Sequence, residues 1–87
     1  MSMRLYYLWA STYESVELME KHHESDYALE LLSRRVSDPF HVLAESPQDA
    51  AEQFQISPQF EAFLSRNVGK TVFIYYQDDS GRLVQVR

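Results

Sequence analysis

The sequence contains no cysteine, and this absence excludes several classes of protein. Without cysteine the chain has no disulfide framework, no thiolate nucleophile and no zinc site that depends on sulfur ligands. The absence of cysteine is also consistent with a reducing compartment, so we expect a cytoplasmic protein.

Glycine and proline are scarce, with two and three residues in a chain of 87. Hydrophobic residues make up 45% of the chain and charged residues 24%, which is typical of a globular domain and not of a disordered tail. A chain of this length forms one domain with a modest core. We therefore predict a single domain over residues 1–87, without a roomy buried active site.

No hydrophobic run is long enough to cross a bilayer. The apolar stretch Leu5–Ala10 is far shorter than the about 20 residues that a spanning helix needs, and no small-residue cleavage site follows it. We therefore expect a soluble protein with no targeting segment and no membrane partner.

Basic residues are outnumbered, because eight Lys and Arg stand against thirteen Asp and Glu, for a net charge of −5. The acids are concentrated between Glu14 and Glu61, where eleven of them accompany three bases. A nucleic-acid-binding protein normally carries a basic patch, so we expect no direct contact with nucleic acid. The acidic excess favours a protein partner with a basic surface.

The N-terminal residues predict a strand that leads into a helix. Residues 3–10 are apolar or aromatic at nearly every position, which indicates a central strand covered on both faces. Ser11 and Glu14 then match the S-x-x-E capping box, in which each satisfies a backbone amide at the start of a helix. A helix should therefore begin at about Thr12.

That helix should not continue unbroken. The apolar stripe shifts by about 100° around the helix axis near residues 24–26, and a straight helix packed on one core cannot follow it. We predict a break there and a second helix, capped by Ser25, that runs to about Arg35. The Asp38-Pro39 pair closes that helix, and Phe40–Ala44 should form a short strand.

Two serine-proline pairs predict two further helices. Ser46 and Ser57 each precede proline and glutamine, and proline at the first helical position loses no hydrogen bond. The first helix should run from Pro47 to about Gln53, and the second should end near Gly69. The residues predicted to be buried on these two helices are Ala50, Ala51, Phe54, Phe60, Phe63, Leu64 and Val68.

The C-terminal residues predict a β-hairpin. Residues 70–77 are mostly β-branched or aromatic, residues 83–87 alternate apolar and polar, and residues 78–81 supply the turn. The element order is then β-α-α-β-α-α-β-β. We predict an α+β fold with one small, mostly antiparallel sheet, in which the first and third strands are buried on both faces and the last is a half-exposed edge.

The adjacent histidines His22 and His23 are the first candidates for chemistry. Metal ligands on one helix lie three or four residues apart, whereas neighbours point about 100° apart, so these two cannot form a helical chelate. No serine or threonine stands in a glycine elbow beside a base. We predict no metal, no cofactor and no enzyme activity. The alternative is a small metal-dependent enzyme that uses His22, His23 or His41 with a nearby acid.

Two surfaces could instead bind a partner. One is an acidic ridge on the first predicted helix, formed by Glu14, Glu17, Glu20 and Glu24. The other is the sheet, which carries more aromatic rings than short helices can cover. Its predicted contact residues are Tyr6, Trp9, Tyr75 and Tyr76. The simpler alternatives are a solvated helix face and a sheet that helices cover on both sides.

These features favour a non-enzymatic interaction protein: an adaptor, regulator or inhibitor that occupies a surface of a larger protein partner. A narrower hypothesis is an acidic inhibitor or nucleic-acid mimic that acts on a nucleic-acid-handling complex. That hypothesis is an analogy of size and charge to some small phage-borne proteins. The surplus of aromatic rings also makes a homodimer possible.

Overall fold

The protein contains a four-stranded antiparallel sheet, seen in a computed structural model that describes residues 2–13 and 36–87. The strands are β1 (Arg4–Ser11), β2 (Phe40–Ala44), β3 (Phe73–Gln77) and β4 (Leu83–Gln85), and they lie side by side in the order β2-β1-β3-β4. Two helices, α1 (Pro47–Gln55) and α2 (Pro58–Arg66), connect β2 to β3. The predicted α+β class is therefore confirmed. The two helices predicted between Thr12 and Arg35 fall almost entirely on residues 14–35, which lie outside the described residues.

The main core lies between one face of the sheet and the two helices. Side chains alternate between the two faces of a strand, so Tyr6, Leu8 and Ala10 of β1 all point to this side. They are buried together with side chains from the neighbouring strands and both helices: Ala44, Ala50, Ala51, Phe54, Phe60, Phe63 and Ile74. This apolar layer holds both helices on one face of the sheet, so neither helix covers the opposite face.

Serine caps fix where both helices begin, as the sequence predicted. The Ser46 hydroxyl accepts a hydrogen bond from the Asp49 amide at 3.1 Å, and the Ser57 hydroxyl accepts one from the Phe60 amide at 3.2 Å. Each bond satisfies a backbone donor that the first turn of a helix leaves without a partner. Only Ile56 and Ser57 separate α1 from α2, and both helices pack on the same side of the sheet.

The core-facing stripe of α2 is shorter than predicted. Leu64 is 42% exposed and Val68 is 83% exposed, so their predicted burial is wrong. The reason is that α2 ends at Arg66, which places Val68 in the following turn, while Phe60 and Phe63 already fill the space against the sheet. Gly69 does adopt the predicted left-handed conformation, with φ of 81°.

The end of β1 also differs from the prediction. Ser11 is buried as the last residue of the strand, opposite Phe73, and it forms a bridge with Val36. Its hydroxyl accepts a hydrogen bond from the Tyr13 amide at 3.0 Å, but Thr12 and Tyr13 are not helical. The helix therefore does not include Thr12 or Tyr13, and the rest of the predicted helix lies outside the described residues.

The predicted hairpin is present, with Asp78 organising its turn. The Asp78 carboxylate accepts hydrogen bonds from the Ser80 hydroxyl, the Ser80 amide and the Arg82 amide, at 2.6, 2.9 and 2.9 Å. Gly81 takes φ of 84°, which a residue with a side chain rarely adopts. These bonds to the ionised carboxylate, the Ser80 hydroxyl first among them, hold the pKa of Asp78 below its usual value.

The lowered pKa of Asp78 predicts a pH-dependent contribution to stability. Because the folded state favours the ionised carboxylate, the contribution is present above the ordinary aspartate pKa of about 3.9 and is lost as the pH falls through the lower folded pKa. Asp78→Asn should therefore remove part of the acid sensitivity. The measurement is urea unfolding of both proteins between neutral and acidic pH, and parallel stability curves would contradict this expectation.

Candidate interaction surface

The second face of the sheet is closed at its β3 end. Tyr75 is fully buried there beside Val36, and its hydroxyl donates a hydrogen bond to the Tyr13 carbonyl at 2.8 Å. The partly buried side chains that pack around this pair are Trp9, Tyr13, Phe73 and Leu83. This smaller cluster covers the half of the face near β3.

The same face is open at its β1-β2 end. Two cross-strand pairs stand there next to each other, Leu5 opposite Leu43 and Tyr7 opposite His41. Leu5 is 52% exposed, Leu43 57% and Tyr7 37%, and His41 is exposed as well. We refer to these four residues as the open face.

The open face has a defined shape because its rings contact each other. The Tyr7 and His41 rings meet edge to face, with centroids 4.6 Å apart. Residues directly opposite on antiparallel strands have Cβ atoms about 5 Å apart, so the Leu5-Leu43 pair lies equally close. Four neighbouring side chains on two hydrogen-bonded strands form a continuous apolar surface, held by the sheet and not by a loop.

This arrangement corrects the prediction that β1 is covered on both faces. Leu5 and Tyr7, in the first half of the strand, are exposed, whereas the last two residues, Ala10 and Ser11, are buried on opposite sides. An unbroken apolar run predicts cover on both faces of a strand, but the first half of β1 alternates between exposed and buried side chains. The run does not show whether the second layer extends along the full length of the strand.

The four aromatic residues predicted to contact a partner separate onto the two faces. Tyr6 and Tyr76 meet on the helix-covered face, with ring centroids 6.1 Å apart, and the Arg4 guanidinium lies over the Tyr6 ring. Trp9 and Tyr75 are opposite each other on the second face, next to the open face. Tyr6 and Tyr75 are buried, so they present almost no ring surface, and a role in partner binding stays a prediction for all four.

The acidic ridge and two of the three histidines have no structural description. Glu14, Glu17, Glu20 and Glu24, together with His22 and His23, lie outside residues 2–13 and 36–87. The third histidine, His41, is part of the open face. In the described ranges no three histidine, aspartate or glutamate side chains converge as metal ligands would.

Sequence reasoning missed Leu5 and Leu43 as candidate contact residues. The prediction rested on how many aromatic residues the strands contain, and not on which face of the sheet each side chain occupies. A usable signal was present, since both serine-capped helices precede β3 and are amphipathic, so each has one apolar face to place on the sheet. Two helices packed on one face of a sheet leave the other face to the remaining residues.

The charged residues closest to β2 in the sequence are both acids. Asp38 and Glu45 flank β2 in the sequence, and both are exposed. Neither forms an ion pair with another described residue, whereas the base Arg4 is engaged by Asp79. The two acids that flank β2 in the sequence therefore form no ion pair with a described base.

A cleft lies at the end of the sheet. It is lined by Arg4, Tyr6, Tyr76 and Asp79, among others, and has a volume of about 200 Å³. Pockets that enclose small organic ligands usually measure about 300–1,000 Å³. Arg4 and Asp79 in the cleft already pair with each other. The cleft is therefore a weaker candidate for a binding site than the open face.

Neither α1 nor α2, the helices in the described part of the chain, has the length and apolar character needed to cross a bilayer. Comparison with models of protein families, with curated proteins and with solved structures finds no match for the chain.

Proposed function

We propose that the protein is a non-enzymatic interaction module, an adaptor, regulator or inhibitor, that binds a larger protein through the open face. One observation carries the proposal: the pairs Leu5-Leu43 and Tyr7-His41 form a continuous apolar surface on rigid strands, with half or more of each leucine exposed. Single exposed apolar side chains are normal on any protein, whereas contiguous ones are typical of interaction sites.

The energetics support this use of the surface. Full burial of a leucine side chain stabilises a complex by about 1.5–3 kcal/mol, so covering the exposed half of Leu5 or Leu43 contributes roughly 1 kcal/mol each. Tyr7 adds a ring that already contacts the His41 ring edge to face. A surface that is ordered before binding loses less conformational entropy when the partner arrives.

The charges next to the open face indicate what kind of partner surface would fit it. An apolar centre flanked by Asp38 and Glu45, on a chain of net charge −5, complements an apolar patch with lysine or arginine at its edge. The cytoplasmic location expected from the absence of cysteine belongs to the same proposal. The narrower hypothesis of an acidic inhibitor of a nucleic-acid-handling complex additionally requires the Glu14 to Glu24 ridge.

Site-specific photocrosslinking tests the proposal. A photoreactive amino acid is placed at position 43 in one protein and at position 56 in another, where Ile56 is 85% exposed in the turn between the helices. In the native host, position 43 should crosslink to one protein other than a second copy of this chain, and position 56 should not. Equal crosslinking from both positions, or from position 56 alone, would place the contact elsewhere.

A further inference from the structure

The outer edge of β2 could pair with another strand through its backbone, separately from the side chains of the open face. β2 is the terminal strand of the sheet, and no described strand pairs with its outer side. Natural edge strands are usually protected by lysine, proline or a bulge, because unpaired backbone groups attract other strands. Phe40–Ala44 contains no charged residue and no proline. Within the described residues, this strand therefore carries neither of the two protective residue types.

The hydrogen bonds of Ala10 show which way the backbone groups of β1 point. The Ala10 amide donates to the Ser37 hydroxyl at 2.9 Å, and the Ala10 carbonyl accepts from the Ser37 amide at 2.8 Å. Both groups therefore point toward the β2 side. Because direction alternates along a strand, Tyr6 and Leu8 also point their backbone groups toward β2.

The same alternation fixes the backbone groups of β2. Val42 lies opposite Tyr6 and bonds to it, so the flanking residues His41 and Leu43 point their amides and carbonyls to the outer edge. The Gln53 side-chain amide reaches the Leu43 carbonyl at 3.3 Å, which is consistent with that carbonyl facing outward. A carbonyl oxygen can accept a second hydrogen bond, so the edge can still pair.

We propose that β2 pairs antiparallel with β2 of a second copy of this chain, with Val42 at the two-fold axis. In this register His41 lies opposite Leu43 of the second copy, and the two residues exchange amide-to-carbonyl hydrogen bonds in both directions. Even-numbered residues then lie opposite even-numbered residues, so each face of the sheet continues into the same face of the other copy. The two open faces become one surface of twice the length.

A second copy matches this edge because the strand complements itself. With Val42 at the axis, the outward donors and acceptors of His41 and Leu43 all find partners, and a two-fold interface uses the same patch on both subunits. The acids fall outside the paired residues, where Asp38 lies opposite Ser46 and Glu45 opposite Pro39 of the second copy. No like charges are therefore directly opposite each other, a condition that would destabilise the pair.

The inference does not depend on the proposed function, because it uses the backbone of β2 and not the side chains of the open face. If the chain is a monomer, photocrosslinking at position 43 can still identify a foreign partner. If it is a dimer, a failure of that crosslinking leaves the dimer in place.

Analytical ultracentrifugation of three proteins tests the dimer. Wild type should shift from monomer to dimer as its concentration rises to about 1 mM, the weak end of the affinity scale. His41→Pro removes the outward amide of an edge strand, a position where proline is tolerated, and should stay a monomer. His41→Ala loses the same imidazole but keeps the amide, so it should dimerise like wild type.

Amide hydrogen exchange of wild type supplies a test that needs no variant. The amides of His41 and Leu43 should become protected as the concentration rises, while the Val42 amide, already bonded to β1, should not change. Three results would overturn the proposal: a wild-type monomer at about 1 mM, dimerisation of a folded His41→Pro, or protection of His41 that is independent of concentration.

Discussion

Phe54→Ala is expected to lower the free energy of unfolding by about 3–5 kcal/mol, the range typical of a phenylalanine removed from a packed core. Phe54 is fully buried on α1, stacked on Phe40 of β2 with centroids 4.8 Å apart and edge-on to Phe60 of α2 at 5.1 Å. Its ring connects both helices to the sheet. Since domains of this kind have a total stability of about 5–15 kcal/mol, the variant should be close to unfolding at 37 °C.

Urea unfolding followed by circular dichroism measures this effect. Ile56→Ala is the matched control, because Ile56 is a large apolar residue at the end of the same helix that remains 85% exposed. Its unfolding free energy should stay within about 0.5 kcal/mol of wild type. A Phe54→Ala protein as stable as the Ile56→Ala protein would show that the sheet and helices do not pack as described.

Leu43→Asp is expected to weaken binding of the crosslinked partner by at least about 100-fold. The substitution removes roughly 1 kcal/mol of apolar burial and places a carboxylate in a contact that excludes water, at a further cost of a few kcal/mol. Each 1.4 kcal/mol changes the dissociation constant tenfold. Stability should change little, because Leu43 is 57% exposed in the free protein.

The measurement is titration of the purified partner with wild type, Leu43→Asp and Leu5→Asp. Val68→Asp makes the same chemical change at an exposed position, 83% accessible, beyond α2, and should bind within about twofold of wild type. Thermal melting of each variant separates loss of binding from loss of folding. Comparable weakening by Val68→Asp would mean that added charge, and not the open face, determines the affinity.

Local signals explain the parts of the fold that the sequence predicted. Ser46 and Ser57 cap their helices through bonds that span three residues, so nothing distant is needed to place them. The turn around Asp78 and Gly81 is equally local, and β2 begins one residue after Pro39. Where a helix or turn is specified within a few residues, its position follows from sequence alone.

The parts that sequence did not predict depend on contacts between distant residues. Ser11 was predicted as a helix cap outside the strand, but it is also the buried last residue of β1, paired with Phe73 and bridged with Val36 far along the chain. The exposure of Leu5 depends on its being paired with Leu43 and on where the helices lie. The sequence shows which side chains are apolar. Whether each of them is buried depends on how the helices and strands pack.

The measurement that tests the central claim most directly is hydroxyl-radical footprinting of the purified complex, compared with the free protein. The account predicts that oxidation of Leu5, Tyr7 and Leu43 falls on complex formation, while oxidation of the exposed Ile56 stays unchanged. Unchanged oxidation of Leu5, Tyr7 and Leu43 in a complex that shields Ile56 would contradict it.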